Sequence, residues 1–253
     1  LKNKMSLYTE TYVNYVNWSN SRKNELLSLI YERTNGRVYQ GPFKDMIIVP
    51  KYSWGDGDTA GKLLGLYENE LYSTIASLIW EHNFDLVLNI GCAEGFYGLG
   101  LAKIMPNTLS VLFDINPEAI SISRENAAIN KIHNVQFNTD CSVENIRSYL
   151  GKSNSPFIIM DIEGHERVLL DLDVIPELKT STIIVESHDC NIPGTTDLIL
   201  SRFKETHSTY TISQGTKNPY IDILFDLGDI DKMLICSESR PSTMLWIVMV
   251  PKA

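Results

Sequence analysis

The sequence predicts an α/β fold: an open, seven-stranded, mostly parallel sheet with helices on both faces, an antiparallel last strand and an N-terminal helical extension. Three observations carry this. Five apolar runs, over residues 86–90, 109–113, 135–138, 157–160 and 182–185, each lead into a glycine or an acid: Gly91, Asp114, Asp140, Asp161 and Glu186. Stretches with helical spacing or helix-start residues separate them, as in successive βαβ units. The final two runs, 209–213 and 244–250, have no returning crossover between them, which predicts an antiparallel hairpin closing the sheet.

The elements follow in order. Residues 6–34 mix apolar and polar side chains, and the segment 25–30 predicts a helix that stops before Asn35-Gly36. A short apolar piece, 46–49, is stopped by Pro50, and residues 54–58 read as a turn-rich loop, suited to closing over a substrate and equally to a solvated turn. Leu71, Ile75, Ala76 and Ile79 recur at helical spacing and predict a helix over 68–82. The run 86–90 has apolar side chains toward both faces, as a strand covered on both sides requires. Asn116-Pro117-Glu118 starts a helix to about residue 130, with Asn as cap and Pro in the first turn. Strands follow near 134–138, 156–161 and 181–186, then a helix near 196–206. The insert 215–242 is too long for a plain turn and predicts one helix over 222–234. The expected organisation is an accessory segment, 1–60, and a cofactor-binding domain, 61–253.

The turn after the first strand is the most informative segment. Gly91 lets the backbone reverse without a Cβ clash, and Gly95 lets a helix begin against a ligand. Asp114, at the end of the second strand, is placed for a carboxylate to accept both hydroxyls of a ribose, so an adenosine-containing cofactor is expected. A nicotinamide or flavin fingerprint requires glycine two positions after the first, where this chain has Ala93. Gly91-x-x-x-Gly95 followed by Asp114 is instead similar to the first two motifs of Rossmann-like methyltransferases that use S-adenosylmethionine.

With Gly65-Leu66-Tyr67-Glu68 upstream, Asn89-Ile90-Gly91-Cys92-Ala93-Glu94-Gly95 at the first strand and Asp161-Ile162-Glu163-Gly164-His165-Glu166 at the fourth, the chain resembles the FkbM-like O-methyltransferases over about residues 60–250. The resemblance implies methyl transfer from S-adenosylmethionine to a hydroxyl of a small molecule or saccharide. It implies a cofactor site formed by Glu68, Asn89, Gly91, Cys92, Ala93, Gly95, Asp114, Ile115, Asp140, Cys141 and Asp161. Asn218-Pro219-Tyr220 is similar to the motif of amino-base methyltransferases but lies in the wrong place, since the fourth strand ends in Asp161-Ile162-Glu163-Gly164. The alternatives are a nicotinamide-dependent oxidoreductase and a non-catalytic scaffold that keeps the fold.

Attack by a hydroxyl needs a base or a metal. His188 is the first candidate base, because an unperturbed imidazole with pKa about 6.5 is largely neutral at pH 7; His165 is the second, and either equally suits hydrogen bonding between loops. Asp161 and Glu163 can face a methionine ammonium or orient a hydroxyl, and Asp161, Glu163, His188 and Asp189 together offer ligands for a divalent metal. Glu68 also reads as a first-turn helix residue, and Arg240 as an anchor for an anionic acceptor or, preferably, half of a surface ion pair.

Composition narrows the partners. A net charge of −9 with no Lys/Arg cluster longer than Arg22-Lys23 argues against nucleic acid. With 43% hydrophobic residues and no apolar run of the roughly 18 needed to span a bilayer, membrane insertion is not expected. Four separated cysteines without C-x-x-C indicate neither zinc nor disulfides and fit a cytoplasmic setting, with Cys92, Cys141 and Cys190 read as small residues beside the ligand. The opening Leu1-Lys2-Asn3-Lys4-Met5 lacks a secretory segment and reads as the start of a piece of a longer protein.

Overall fold

The computed structural model describes residues 2–53, 58–238, 240 and 242–252, with side chains from residue 10 onward. The turn-rich loop expected over 54–58 lies outside the described residues except for Asp58. The elements are α1 (Lys2–Thr34), α2 (Thr59–Leu64), α3 (Tyr72–Glu81), β1 (Leu86–Ile90), α4 (Phe96–Ile104), β2 (Leu109–Phe113), α5 (Pro117–Ile129), β3 (Val135–Asn138) and α6 (Val143–Leu150). They continue with β4 (Pro156–Met160), α7 (Glu166–Leu169), β5 (Thr182–Ser187), α8 (Thr195–Phe203), β6 (His207–Ser213), α9 (Asp229–Cys236) and β7 (Leu245–Pro251).

Every residue of β1, β4 and β5 is buried, so these strands form the middle of a sheet covered on both faces. The seven strands run in the order β3-β2-β1-β4-β5-β7-β6. Pairing is parallel from β3 to β5, and β7 is antiparallel to both its neighbours. Because β7 runs backwards, its first residues stand beside the carboxyl ends of the others, with Trp246 opposite Glu186.

Alternate strand residues build two cores. Val87, Leu112, Phe157, Ile159, Ile184 and Trp246 pack on one face, with Leu26 and Ile30 of α1, Ile75 of α3, Leu101 of α4 and Ile120 of α5. Leu88, Val111, Ile158, Val185 and Ile247 pack on the other, with Ile146 of α6 and Ile199 and Phe203 of α8. Local chemistry sets the helix starts: the Asn116 side chain accepts from Glu118 N, and the Ser142 side chain accepts from Asn145 N.

Three expectations need correction. Ala76 is exposed while Leu78 is buried, so the buried stripe of α3 runs through Leu71, Ile75 and Leu78. The helix expected between the strands near 156–161 and 181–186 is shortened to the four residues of α7, followed by a 3₁₀ turn, Pro176–Thr180. The single helix expected over 222–234 is a 3₁₀ turn, Asp222–Leu224, followed by α9; Arg33 holds the break, donating to Ile223 O at 2.7 Å and to both carboxylate oxygens of Asp226. Among the described residues no helix is long and apolar enough to cross a membrane.

Candidate functional site

Beyond the carboxyl ends of β1, β4 and β5 lies a cavity of about 300 Å³. The β1–α4 loop, 91–94, forms one wall, Asp161 and Glu163 the base, and Glu186 and His188 the next side. The end of the insert and the start of β7 supply Glu238, Arg240, Met244 and Trp246 opposite, while Asp58, Lys62 and Tyr67 close the remainder.

The loop is tightly determined. Gly91 has φ +77°, and a Cβ there would stand 1.7 Å from Asp161 O, so no other residue fits without moving β4. Gly91 N and Cys92 N both donate to Phe113 O at 2.9 Å, and Gly95 N donates to Cys92 O at 2.7 Å. Asp114 accepts from Ala93 N and Asn116 N, each at 2.9 Å, bracing the loop from the end of β2. Asn89, buried in β1, accepts from Gly98 N at 2.9 Å and so fixes the first turn of α4 against the strand.

Glu94 is buried and accepts from Ser53 N at 2.6 Å and from Lys62 at 3.3 Å. Burial alone would raise its pKa, but Lys62 and the Ser53 bonds outweigh burial and hold the carboxyl below its usual value. Burial likewise opposes charge on Lys62, yet Glu94 and Asp58 keep its pKa raised.

The insert wall rests on charge. Arg240, with its side chain 13% exposed, pairs with Glu68 and Glu186 and donates to Glu238 at 2.9 Å. Glu68 is fully buried, has a left-handed φ of 45°, and accepts from Tyr97 OH at 2.7 Å. Burial pushes its carboxyl up to about 8 against the pull of Arg240. Burial and the neighbouring Asp161 also push the Glu186 carboxyl up. Lys217 continues the network, pairing with Glu70 and lying 3.0 Å from Glu238. Arg240 is therefore a buried hub and not half of a surface pair.

His188 stands among these acids. Its Nδ1 is 2.7 Å from Glu166 Oε1, which also accepts from Ile162 N and Gly164 N at 3.2 Å. Its Nε2 lies 3.4 Å from Asp161 and 3.5 Å from both Glu163 and Glu186. Burial opposes the imidazolium, but Glu166 and Asp161 more than compensate and raise the pKa above the ordinary value. Asp161 Oδ1 is buried without a hydrogen bond, and burial, opposed by His188, pushes its carboxyl up to about 6.

Other sequence-selected residues lie elsewhere. His165 is exposed at the start of α7 and does not line the cavity; the buried acid following it, Glu166, holds the position that matters. Asp189 is taken up by Gly194 N, Thr196 and Ser187 at the start of α8, so it does not join Asp161 and His188; Glu186 does. Glu163 is exposed at the rim and accepts from Asn191 at 3.2 Å. Asp140 is exposed and accepts from Ser142 N, and Ile115 is 80% exposed, both outside the cavity lining. Buried Cys92 and half-buried Cys141 have thiols pushed up by burial, and Cys190 is an exposed lining residue. Glu186 carried a signal, an acid ending an apolar strand; Arg240 read only as an anchor or a surface pair, and Tyr97 and Lys62 carried none, because their roles arise from distant parts of the chain.

Among solved structures, the chain is similar to a precorrin-6y C5,15-methyltransferase from Geobacter metallireducens (13% identity, 66% of this chain and 79% of that one, TM-score 0.42). It is similar to an rRNA methylase from Streptococcus thermophilus (10% identity, 72% and 97%, TM-score 0.48). It is also similar to the bifunctional kinase-methyltransferase WbdD (19% identity, 88% and 45%, TM-score 0.48), spanning less than half of that chain. No curated protein matches the sequence. Residues 82–166, the segment that carries the glycine loop, Asp114 and Asp161–Glu166, match the family model of a methyltransferase domain.

Proposed function

We propose that the protein is an S-adenosylmethionine-dependent O-methyltransferase of the FkbM-like kind, acting on a hydroxyl of a small molecule or glycan end. The observation that carries this reading is the acid-rich cavity immediately beyond the Gly91–Gly95 turn, at the strand ends where open α/β sheets collect ligands. S-adenosylmethionine supplies an electrophilic methyl group on a sulfonium, beside a cationic ammonium. The donor set fits such a cation: Asp161 offers a buried oxygen without a hydrogen bond, and Glu163 and Glu186 stand beside it. Among the described residues the Asp114 side chain accepts only from backbone N–H groups, those of Ala93 and Asn116, and in this reading it is the carboxylate for ribose hydroxyls.

The acceptor class follows from the lining. Asp58, Glu94, Asp161, Glu163, Glu186 and Glu238 outnumber Lys62 and Arg240, both of which are already paired with acids. Phosphate-bearing acceptors are repelled, whereas a neutral alcohol donates its O–H to a carboxylate or to His188. In this reading residues 61–253 form the catalytic domain, residues 1–60 are accessory, and the end of the insert shapes the acceptor side.

The test is calorimetric titration with S-adenosylhomocysteine, with NADH as comparison. Saturable binding of S-adenosylhomocysteine alone is expected. Asp114→Ala loses that affinity, and His188→Ala keeps it while losing turnover on an accepted alcohol. Binding of NADH instead replaces the reading with an oxidoreductase; binding of neither leaves a scaffold.

A further inference from the structure

Acids and one imidazole crowd together beyond the ends of β4 and β5. Glu166 Oε1 accepts two backbone N–H groups, so it faces His188 Nδ1 as an acceptor and Nδ1 carries a proton. The opposite nitrogen, Nε2, belongs to a side chain only 3% exposed and makes no hydrogen bond, yet it faces oxygens of Asp161, Glu163 and Glu186 at 3.4–3.5 Å. Asp161 Oδ1 is itself buried and without a hydrogen bond. Three acceptors and a ring nitrogen thus converge on one point.

We propose that His188 Nε2, Asp161 and Glu186 bind a first-row divalent cation of the Mn²⁺ or Zn²⁺ type. One ligand atom from each of the three lies within 4.8 Å of the others. Ligands about 2.1 Å from a common ion stand about 3.0–3.4 Å apart at octahedral to tetrahedral angles, which matches the separation of His188 from Asp161 and Glu186. A charge-assisted hydrogen bond would instead close to about 2.7–2.9 Å. An imidazole with two carboxylates favours these metals over the all-oxygen preference of Ca²⁺ and Mg²⁺.

The surroundings of the histidine add an independent argument. A metal-bound imidazole normally donates its other N–H to a carboxylate, which fixes the ring and raises its basicity. Glu166, fully buried and held by two backbone amides, occupies that place at 2.7 Å. Arg240 pairs with the Oε1 atom of Glu186, and it is Oε2 that faces His188. The remaining coordination positions open into the cavity, where an acceptor hydroxyl or water would complete them.

The site occupies the cavity of the proposed methyltransferase, but its test needs no cofactor. The chelator-stripped chain is titrated with MnCl₂ by calorimetry, and the bound ion is examined by electron spin-echo spectroscopy. One Mn²⁺ per chain is expected, with modulation from an imidazole nitrogen. His188→Ala and Asp161→Asn lose at least tenfold in affinity, and Glu166→Gln, which removes no ligand, loses about 10- to 100-fold, each checked for folding by circular dichroism. Absence of saturable binding, or bound Mn²⁺ without nitrogen modulation, overturns the site whether or not the variants fold. A parallel titration with S-adenosylhomocysteine separates the two readings: metal binding without it refutes the cofactor, and the converse refutes the metal.

Discussion

Replacing Arg240 by methionine keeps much of the side-chain volume and removes the one guanidinium shared by Glu68, Glu186 and Glu238. These three carboxylates have side chains 0%, 2% and 5% exposed, so water cannot take over the lost interaction. Lys217 still serves Glu238, and Tyr97 still donates to Glu68; Glu186 loses its guanidinium and keeps His188 at 3.5 Å. Breaking a buried pair from one side costs about 3–5 kcal/mol because the partner is left buried and uncompensated. With a urea m-value of about 3 kcal/mol/M, the unfolding midpoint falls by about 1–2 M. Urea unfolding followed by circular dichroism reads this shift. Adding Glu68→Gln to Arg240→Met removes one stranded carboxyl and recovers more than about 1 kcal/mol, whereas Glu68→Gln alone destabilises. A single variant within about 1 kcal/mol of the parent, or strict additivity between positions 240 and 68, would refute the buried-hub reasoning.

Two further outcomes test the scaffold around the cavity. His207 Nε2 donates to Ser181 O at 3.0 Å and its Nδ1 accepts from Thr206 at 2.8 Å, so the neutral ring is satisfied, and burial depresses its pKa. Above the unfolded value of about 6.5 both states are neutral; as pH falls below it the unfolded chain takes the proton first, so this contribution to stability is lost on acidification through the folded value. Melting temperatures from pH 7.5 to 5 fall less steeply in His207→Gln, and identical slopes would remove His207 from the account. Asn126 bridges two buried segments, accepting from Val49 N at 2.9 Å and donating to Glu94 O at 3.0 Å. Asn126→Ala strands both groups and costs about 2–3 kcal/mol, with faster hydrogen exchange at the Val49 amide; unchanged exchange there refutes the bridge.

The strands and the acids at their carboxyl ends were legible because they depend on local pattern. A run such as Thr182–Ser187, apolar until Glu186, announces both a buried strand and an acid at its carboxyl end. Gly91 was legible for the same reason, since a turn with positive φ leaves glycine in the sequence. His165 and Glu166 show where pattern stops. They are neighbours in one motif, yet the short α7 begins between them and turns the histidine to solvent and the glutamate to His188. Arg240 reads as an ordinary surface residue because its carboxylates come from positions 68 and 186, joined to it only when β7 inserts between β5 and β6.

That insertion also explains how the N-terminal helix bears on the cavity. The wall formed by Glu238, Arg240, Met244 and Trp246 follows directly from α9. α9 in turn lies against α1, where Leu26 and Ile30 share one apolar cluster with Leu234 and Ile235. Arg22 pairs with Asp231 at 2.6 Å, and Arg33 with Asp226 at 2.7 Å. These bridges are partly exposed and add little on their own, but they tie α1 to α9 and to the turn before it, where the apolar contact does the holding. The sheet therefore fixes the acids of the cavity, while the side proposed to meet an acceptor is hung from α9 and aligned by α1. Substitutions on the α1–α9 contact should alter acceptor preference before they alter cofactor binding, since the glycine loop and Asp114 are braced separately by β2 and α5.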